Sequence, residues 1–301
     1  MSADPLTMMI RHLNQSVLAL ATIGGTLGLR QTGQAADPLV AQAMQTALAA
    51  MGAPPLDTLD AEQNRQALGL IRTFFVEAAD LLDHPGRQPG WAFEDPAILQ
   101  SIGASSAGMV ARMSKLAATR PWFADVLSRP GTFLDVGTGV GGLALAAAEA
   151  WHVMDVIGID RWAPSLALAD LNRAASTSAH RVRFEARSLE DVDDDGRYAL
   201  VWLPTPFITG PVVRAAIPRL HAALQIGGGI VVGVVPPPPD PLGAALGRLR
   251  AVRNGGQTWS CDEMAELLDQ AGFVDIEVPE NQAGVHFVLG QRKRETAPTL
   301  P

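Results

Sequence analysis

The 301-residue sequence has a single cysteine, Cys261, so no intrachain disulfide can form. That usage points to a reducing compartment, the cytoplasm. Positive charge is also scarce. Lys and Arg number 23 against 31 Asp and Glu, giving a net charge of −8. Nucleic acids and anionic membrane surfaces require a basic face, and neither is expected as a partner. No long apolar run is present. The best candidate, Val17–Leu29, is interrupted by Gly24, Gly25 and Gly28, is too short to span a bilayer and follows no basic segment. It reads as a soluble helix giving way to a loop. No His, Cys, Asp or Glu cluster has metal-ligand spacing, and the acidic run Glu190–Asp195 reads as a solvated loop. What the chain does have is 48% hydrophobic residues, enough for a sizeable core.

The texture changes along the chain. Residues 1–125 are rich in Ala, Leu, Met and Gln, a helical composition. Asp60 with Gln63 resembles a capping pair. Leu68, Ile71, Phe75, Ala79 and Leu82 then recur at spacings of three and four, predicting one apolar stripe on a helix ending before Pro85-Gly86. Further helices are predicted over Ala41–Met51 and Pro96–Ala118. From residue 126 to about 295, strand-like runs alternate with helical ones: TFLDVG, VIGID, RVRFEA, YALVWL and GGIVVGVV, then a closing pair, VDIEVP and HFVLGQ. Such alternation predicts a parallel sheet with helices on both faces. The run Pro236–Pro239 reads as a rigid loop after a strand.

The densest signal is FLDVGTGVGG, residues 133–142, where four glycines follow an acid-tipped strand. Glycine there allows a sharp turn and a close backbone approach by a ligand. A parallel sheet binds ligands beyond the carboxyl ends of its strands, where this turn falls. The pattern also satisfies G-x-G-x-x-G, so a nicotinamide dinucleotide is one reading. Asp135, two residues before Gly137, would repel a pyrophosphate and suit an ammonium group instead. Asp160 ends the next strand, and an acid there can accept both hydroxyls of a ribose.

These motifs resemble those of the class I S-adenosylmethionine-dependent methyltransferases over roughly Pro130–Gly290. Phe133–Gly141 resembles the family's first motif, Ile157–Asp160 its second, Phe184–Asp191 its third and Leu200–Phe207 its fourth. The segments LLDQAGFVDIEV and HFVLGQR resemble its last helix and antiparallel strand pair. The third departs from the common pattern, with Ser188-Leu189 where an acid would follow a small residue. The resemblance implies a Rossmann-like methyltransferase fold: a mostly parallel seven-stranded sheet with an antiparallel C-terminal strand, preceded by an all-α region over residues 1–125. It implies S-adenosylmethionine as cofactor and S-adenosylhomocysteine as product. Asp135 and the backbone of Gly137, Thr138, Gly139 and Gly141 would hold the methionine part. Asp160 would hold the ribose, and Arg161 and Trp162 would border the adenine, with Ser188 and Leu189 on its other face. Leu203 and Pro204 would lie under the sulfonium. Each has a plainer reading beside it: Asp135 as a cap of the next helix, Trp162 as packing, Ser188 as a loop hydroxyl, Leu203 as core.

No catalytic base is named. The fourth motif, WLPTPF, has no carboxylate. The histidines His12, His84, His152, His180, His221 and His286 carry no motif. Thr205, Thr258 and Trp259 are candidates for substrate contact from position alone. The helical region is the candidate substrate cover or dimerisation region. Trp91, Trp122 and Phe123 would lie in its loops, Met8, Met9, Met44, Met51, Met109 and Met113 would line an apolar pocket or a homodimer interface, and the small-residue stretch Ser101–Gly108 would approach the cofactor or pack a helix. The function expected is methyl transfer to a small, fairly apolar molecule. The alternatives are the same fold catalysing a cyclisation or rearrangement, a non-catalytic binding subunit, and a nicotinamide-dependent oxidoreductase.

Overall fold

A computed structural model describes residues 4–280 and 284–293. The chain divides into two compact units, Met1–Asp83 and His84–Pro301.

The first unit holds three helices: α1 (Pro5–Thr32), α2 (Pro38–Ala50) and α3 (Ala61–Asp83). Asp4 and Asp37 cap the first two through their carboxylates. The expected Asp60–Gln63 pair forms at α3: Gln63 N donates to Asp60 Oδ1 at 2.8 Å and Asp60 N to Gln63 Oε1 at 3.0 Å. Leu27, Leu68 and Ile71 form the buried centre, with Phe75 partly covered. Here the stripe stops, for Ala79 and Leu82 at its far end are exposed. The break expected at Gly24, Gly25 and Gly28 does not occur, and α1 runs through all three. A Cβ on Gly24 would sit 3.0 Å from Ile71 Cγ2, and one on Gly25 would sit 3.2 Å from Met44 Cε. These glycines let neighbouring helices approach rather than ending α1.

The second unit opens with α4 (Pro96–Ala117) and α5 (Pro121–Ser128) and continues with β1 (Gly131–Val136), α6 (Gly142–Ala150), β2 (Met154–Asp160), α7 (Ala163–Ala174), β3 (Val182–Ala186), β4 (Tyr198–Pro204), α8 (Gly210–Ala223), β5 (Leu224–Val234), α9 (Pro241–Arg253), α10 (Cys261–Gln270), β6 (Val274–Glu277) and β7 (His286–Gln291). The sheet order is β3-β2-β1-β4-β5-β7-β6, with β7 antiparallel to both neighbours and the other pairings parallel. The expected seven-stranded architecture is therefore present.

Strand alternation feeds two cores. Leu134, Val136, Ile157 and Leu203 pack with Ile217 and Leu220 of α8 and Leu268 of α10. Phe133, Val156, Leu200 and Trp202 pack on the opposite face with Met113 of α4, Phe123 of α5 and Ala144 of α6. The second core moves the boundary expected at residue 125 to residue 83. Val110, Met113 and Ala117 are buried against α6, so α4 and α5 belong with the sheet. Pro121 opens α5 instead of merely ending a helix, which places Trp122 and Phe123 on a helix rather than in a loop. Helix α9 was not predicted either. Its Leu242, Leu246, Leu249 and Val252 recur at helical spacing, yet all four are exposed and the helix buries no residue.

Candidate active site

Between β1 and α6 the backbone reverses through Gly137, Gly139 and Gly141, whose φ values are 64°, 56° and 80°. Three left-handed residues within five explain the glycine density, because a Cβ is disfavoured at each. The space in front differs among them. A Cβ on Gly141 would strike the Phe184 ring, one on Gly137 would lie 3.6 Å from Pro204 Cγ, and one on Gly139 would meet nothing within 4 Å. Gly139 is thus the open point of the turn. Its amide donates to Asp160 Oδ2 at 2.9 Å, and the Thr138 amide donates to the Ile159 carbonyl at 3.0 Å. Asn172 Nδ2 of α7 holds the Val140 carbonyl at 2.9 Å, and Gln100 of α4 holds Asn172 in turn. Neither polar residue was anticipated, since nothing local ties them to the turn.

Asp135 lies beneath this turn, 1% exposed. Its Oδ2 accepts from Thr138 Oγ1 at 2.7 Å. Burial pushes its carboxyl up to about 7, and the charge of Asp160 pushes the same way. The Thr138 hydroxyl and the Ala144 amide hold it down. The Ala144 contact lies in the first turn of α6, so the capping reading of Asp135 is part of its geometry.

Asp160 sits at the tip of β2, half-buried. Oδ2 takes the Gly139 amide, and Oδ1 takes the Trp162 amide at 2.8 Å. Each carboxylate oxygen has two lone pairs, so one acceptor site per oxygen remains for a diol. Arg161 is exposed. Trp162 is half-buried, and its Nε1 donates to the Phe93 carbonyl at 2.9 Å. The Arg187 amide donates to the Asp160 carbonyl at 3.0 Å, bringing the segment after β3 alongside. Ser188 there caps a short 3-10 turn, Leu189–Asp191, its hydroxyl accepting from the Glu190 amide. Leu189 is buried in the core with Ile157 and Ile159. In the acidic run beyond, Glu190, Asp191, Asp193 and Asp195 are exposed as expected, and Asp194 is tied down. Asp194 is bound by Arg187, Arg197 and the Tyr198 hydroxyl, all three at 2.6–2.7 Å, and is held below the usual carboxylate range despite its burial.

Leu203 is fully buried and Pro204 half-buried at the end of β4, beside Gly137. The next residues correct two expectations. Thr205 is 1% exposed and its hydroxyl donates to the Gly233 carbonyl at 2.9 Å, so it does not face a ligand. Trp259 is core, with the Arg214 guanidinium 4.7 Å over its ring, whereas Thr258 beside it is half-buried. Trp122 stacks on Phe123 and lies against Gly229 of β5, so it too is packing. Trp91 keeps a place at the site. Its ring meets Phe93 at 5.2 Å and Phe207 at 5.5 Å, both edge to face. The stretch Ser101–Gly108 takes the packing role: a Cβ on Gly103 would collide with Val140, and one on Gly142 with the Gly103 carbonyl. Met113 is core, whereas Met8, Met9 and Met51 are exposed. His12, His84, His152 and His180 are exposed, His221 packs edge-on against Phe273, and His286 Nδ1 lies 3.9 Å from Cys261 Sγ.

Residues 133–228 match a family model described as a methyltransferase domain. The matched segment carries the methyltransferase-domain pattern. It contains the whole glycine turn, Asp160 and β4. The demethylmenaquinone methyltransferase of Thermus thermophilus is 36% identical over 111 residues, which are 36% of this chain and 50% of that protein. The chain thus matches about half the length of that curated relative. Among solved structures, an O-methyltransferase family protein from Burkholderia thailandensis has a TM-score of 0.67 at 16% identity, covering 98% of this chain and all of that one. Human N-acetylserotonin methyltransferase in complex with SAM has a TM-score of 0.62 at 15% identity, covering 98% and 100%. At such identities the likeness is one of fold. The matched segment is preceded by α4 and α5 and ends within β5, which α9, α10 and the β6–β7 pair follow. Among the described residues no helix is long and apolar enough to cross a membrane.

Proposed function

We propose that the protein transfers a methyl group from S-adenosylmethionine to a small, fairly apolar acceptor. The observation that carries this reading is the open face of Gly139 next to Asp160, whose two oxygens each keep an acceptor site for a ribose hydroxyl. The acid Asp135 beneath the turn suits a cationic ligand end, which would favour its ionised form, better than a pyrophosphate, and this speaks against a nicotinamide dinucleotide. S-adenosylmethionine supplies a methyl carbon already activated by its sulfonium. The chain's own residues bind and orient. The backbone of Gly137, Thr138, Gly139 and Gly141 holds the methionine part. Asp160 fixes the ribose, Arg161 and Trp162 border one adenine face, and Ser188 and Leu189 border the other. Leu203 and Pro204 close the floor under the sulfonium. The neighbouring aromatic rings of Trp91 and Phe207 offer an apolar wall to an acceptor and exclude water. Positioning of the acceptor in line with the methyl group carries the rate, since Thr205 is engaged with Gly233 and offers no base.

The test is formation of S-adenosylhomocysteine from S-adenosylmethionine in the presence of small aromatic hydroxyl, amine and enol acceptors. Binding of the cofactor without any turnover would favour a non-methylating reaction of the same site.

The same reading includes a cytoplasmic location, consistent with one unpaired cysteine, and a homodimer. Leu6, Ile10, Leu13 and Val17 form one stripe on α1, each half or more exposed. A second copy of the chain covering this stripe makes a dimer detectable by sedimentation. A monomer at micromolar concentration would contradict it.

A further inference from the structure

The segment entering α4 is fixed at two points on opposite flanks of the candidate site. On one flank, the Phe93 carbonyl accepts the indole N–H of Trp162, two residues beyond the tip of β2. On the other, the Trp91 ring packs edge-on against Phe207, three residues beyond the tip of β4. The sheet order puts β1 between β2 and β4. Two strand spacings of about 4.8 Å separate those tips by about 10 Å, and three extended residues cover about the same distance. Residues 91–93 therefore stretch from flank to flank across the end of β1, where the glycine turn begins.

The segment is anchored upstream as well. Arg87 Nη1 donates to the Gly90 carbonyl at 2.6 Å, and Arg87 Nη2 and the Gly90 amide both donate to the Arg253 carbonyl at the end of α9. Gly90 has φ 148°, in the range that favours glycine, and a Cβ on Gly255 would come within 3.0 Å of its Cα. A rigid base, a glycine and a three-residue span between two side-chain contacts are the parts of a hinged strap. Trp162 joins it to the ribose acid, for its amide donates to Asp160 while its ring N–H holds the strap.

We propose that residues 91–93 are a strap that must part from Trp162 and Phe207 for the cofactor to enter or leave. This rests on the reading of the glycine turn and Asp160 as the S-adenosylmethionine site. Opening exposes Phe93, which is 8% exposed when closed, so the strap is shut at rest and slows passage in both directions.

The test is stopped-flow association and dissociation of S-adenosylhomocysteine with the full chain, wild type and Trp162→Phe. Phe keeps an aromatic ring beside the adenine and removes the latch donor. The expected result is that the association and dissociation rate constants both rise, by about 3- to 10-fold, the scale of one net hydrogen bond. A rise in the dissociation rate alone would trace the change to the ring's contact with the adenine and overturn the strap, as would unchanged rates. Phe207→Ala removes the opposite anchor and is expected to raise both rates in the same way, which keeps the test decisive should Trp162→Phe not fold. Wild-type protein that binds no S-adenosylhomocysteine would overturn the site assignment and the strap with it. Wild-type binding with unaltered rates in both variants would overturn the strap alone.

Discussion

Asp160 holds two backbone amides, one on each oxygen, and is proposed to hold a diol on the remaining lone pairs. Replacing it with Ala removes at least one charge-assisted contact to the ribose and frees the Gly139 amide. Asp160→Ala is expected to weaken binding of S-adenosylhomocysteine by roughly 1.5–3 kcal/mol in calorimetric titration. An unchanged affinity would contradict its role. Asp135 makes a different prediction. Its carboxyl ordinarily titrates at 3.8 and in the fold at about 7, so the fold prefers the protonated form. The stabilisation from that preference is complete below about pH 4 and is lost as pH rises through 7. Asp135→Asn removes this dependence without changing shape. The melting temperature of the variant relative to wild type should therefore climb between pH 5 and pH 8, and a constant difference would contradict the account. Of these residues, the turn, Asp135, Asp160 and Pro204 were legible in the sequence because their chemistry is local: an acid at a strand end, glycines where φ is positive. Thr205 and Trp259 misled because position along the chain does not tell which face of a strand or helix a side chain takes.

At the scale of elements, the close pass of α4 over the start of α6 fixes the back of the turn. A Cβ on Gly142 would meet the Gly103 carbonyl, and the two helices would have to separate. Gly142→Ala is expected to destabilise the second unit by about 1–3 kcal/mol in urea denaturation, the range for overpacking. No loss would mean that this crossing is slack. In α3 the two ends of the apolar stripe should behave differently. Leu68→Ala, at a buried site, is expected to cost about 2–5 kcal/mol. Leu82→Ala, at a site 80% exposed, should stay within about 0.5 kcal/mol. Helix α3 was readable because its periodicity and capping pair agree. Helix α9 was not read, although Leu242, Leu246, Leu249 and Val252 keep the same period; it has no capping pair, and its stripe is exposed rather than buried. The strap was not readable either. The Trp162–Phe93 contact joins residues 69 apart, and the rings of Trp91 and Phe207 meet only once the sheet has brought β4 to the middle.

Across the whole molecule, the change of texture along the chain falls at β1, inside the second compact unit, and not at the boundary between the units. The alternation of strands and helices from residue 131 onward anticipated the parallel sheet, and the family resemblance anticipated its seven strands and antiparallel end. Neither showed that α4 and α5 pack on the sheet, because Val110, Met113 and Phe123 reveal their partners only in three dimensions. The central claim is that the turn at Gly137–Gly141, facing Asp160, is where S-adenosylmethionine sits. Calorimetric titration of wild type and Gly139→Val with S-adenosylhomocysteine tests it most directly. Gly139 faces open space but has φ 56°, so Val is expected to fill and strain that point without disturbing either core. The account predicts saturable binding, one cofactor per chain, to wild type and none to a Gly139→Val protein that still unfolds cooperatively. Equal binding by both proteins, or none by wild type, would contradict it.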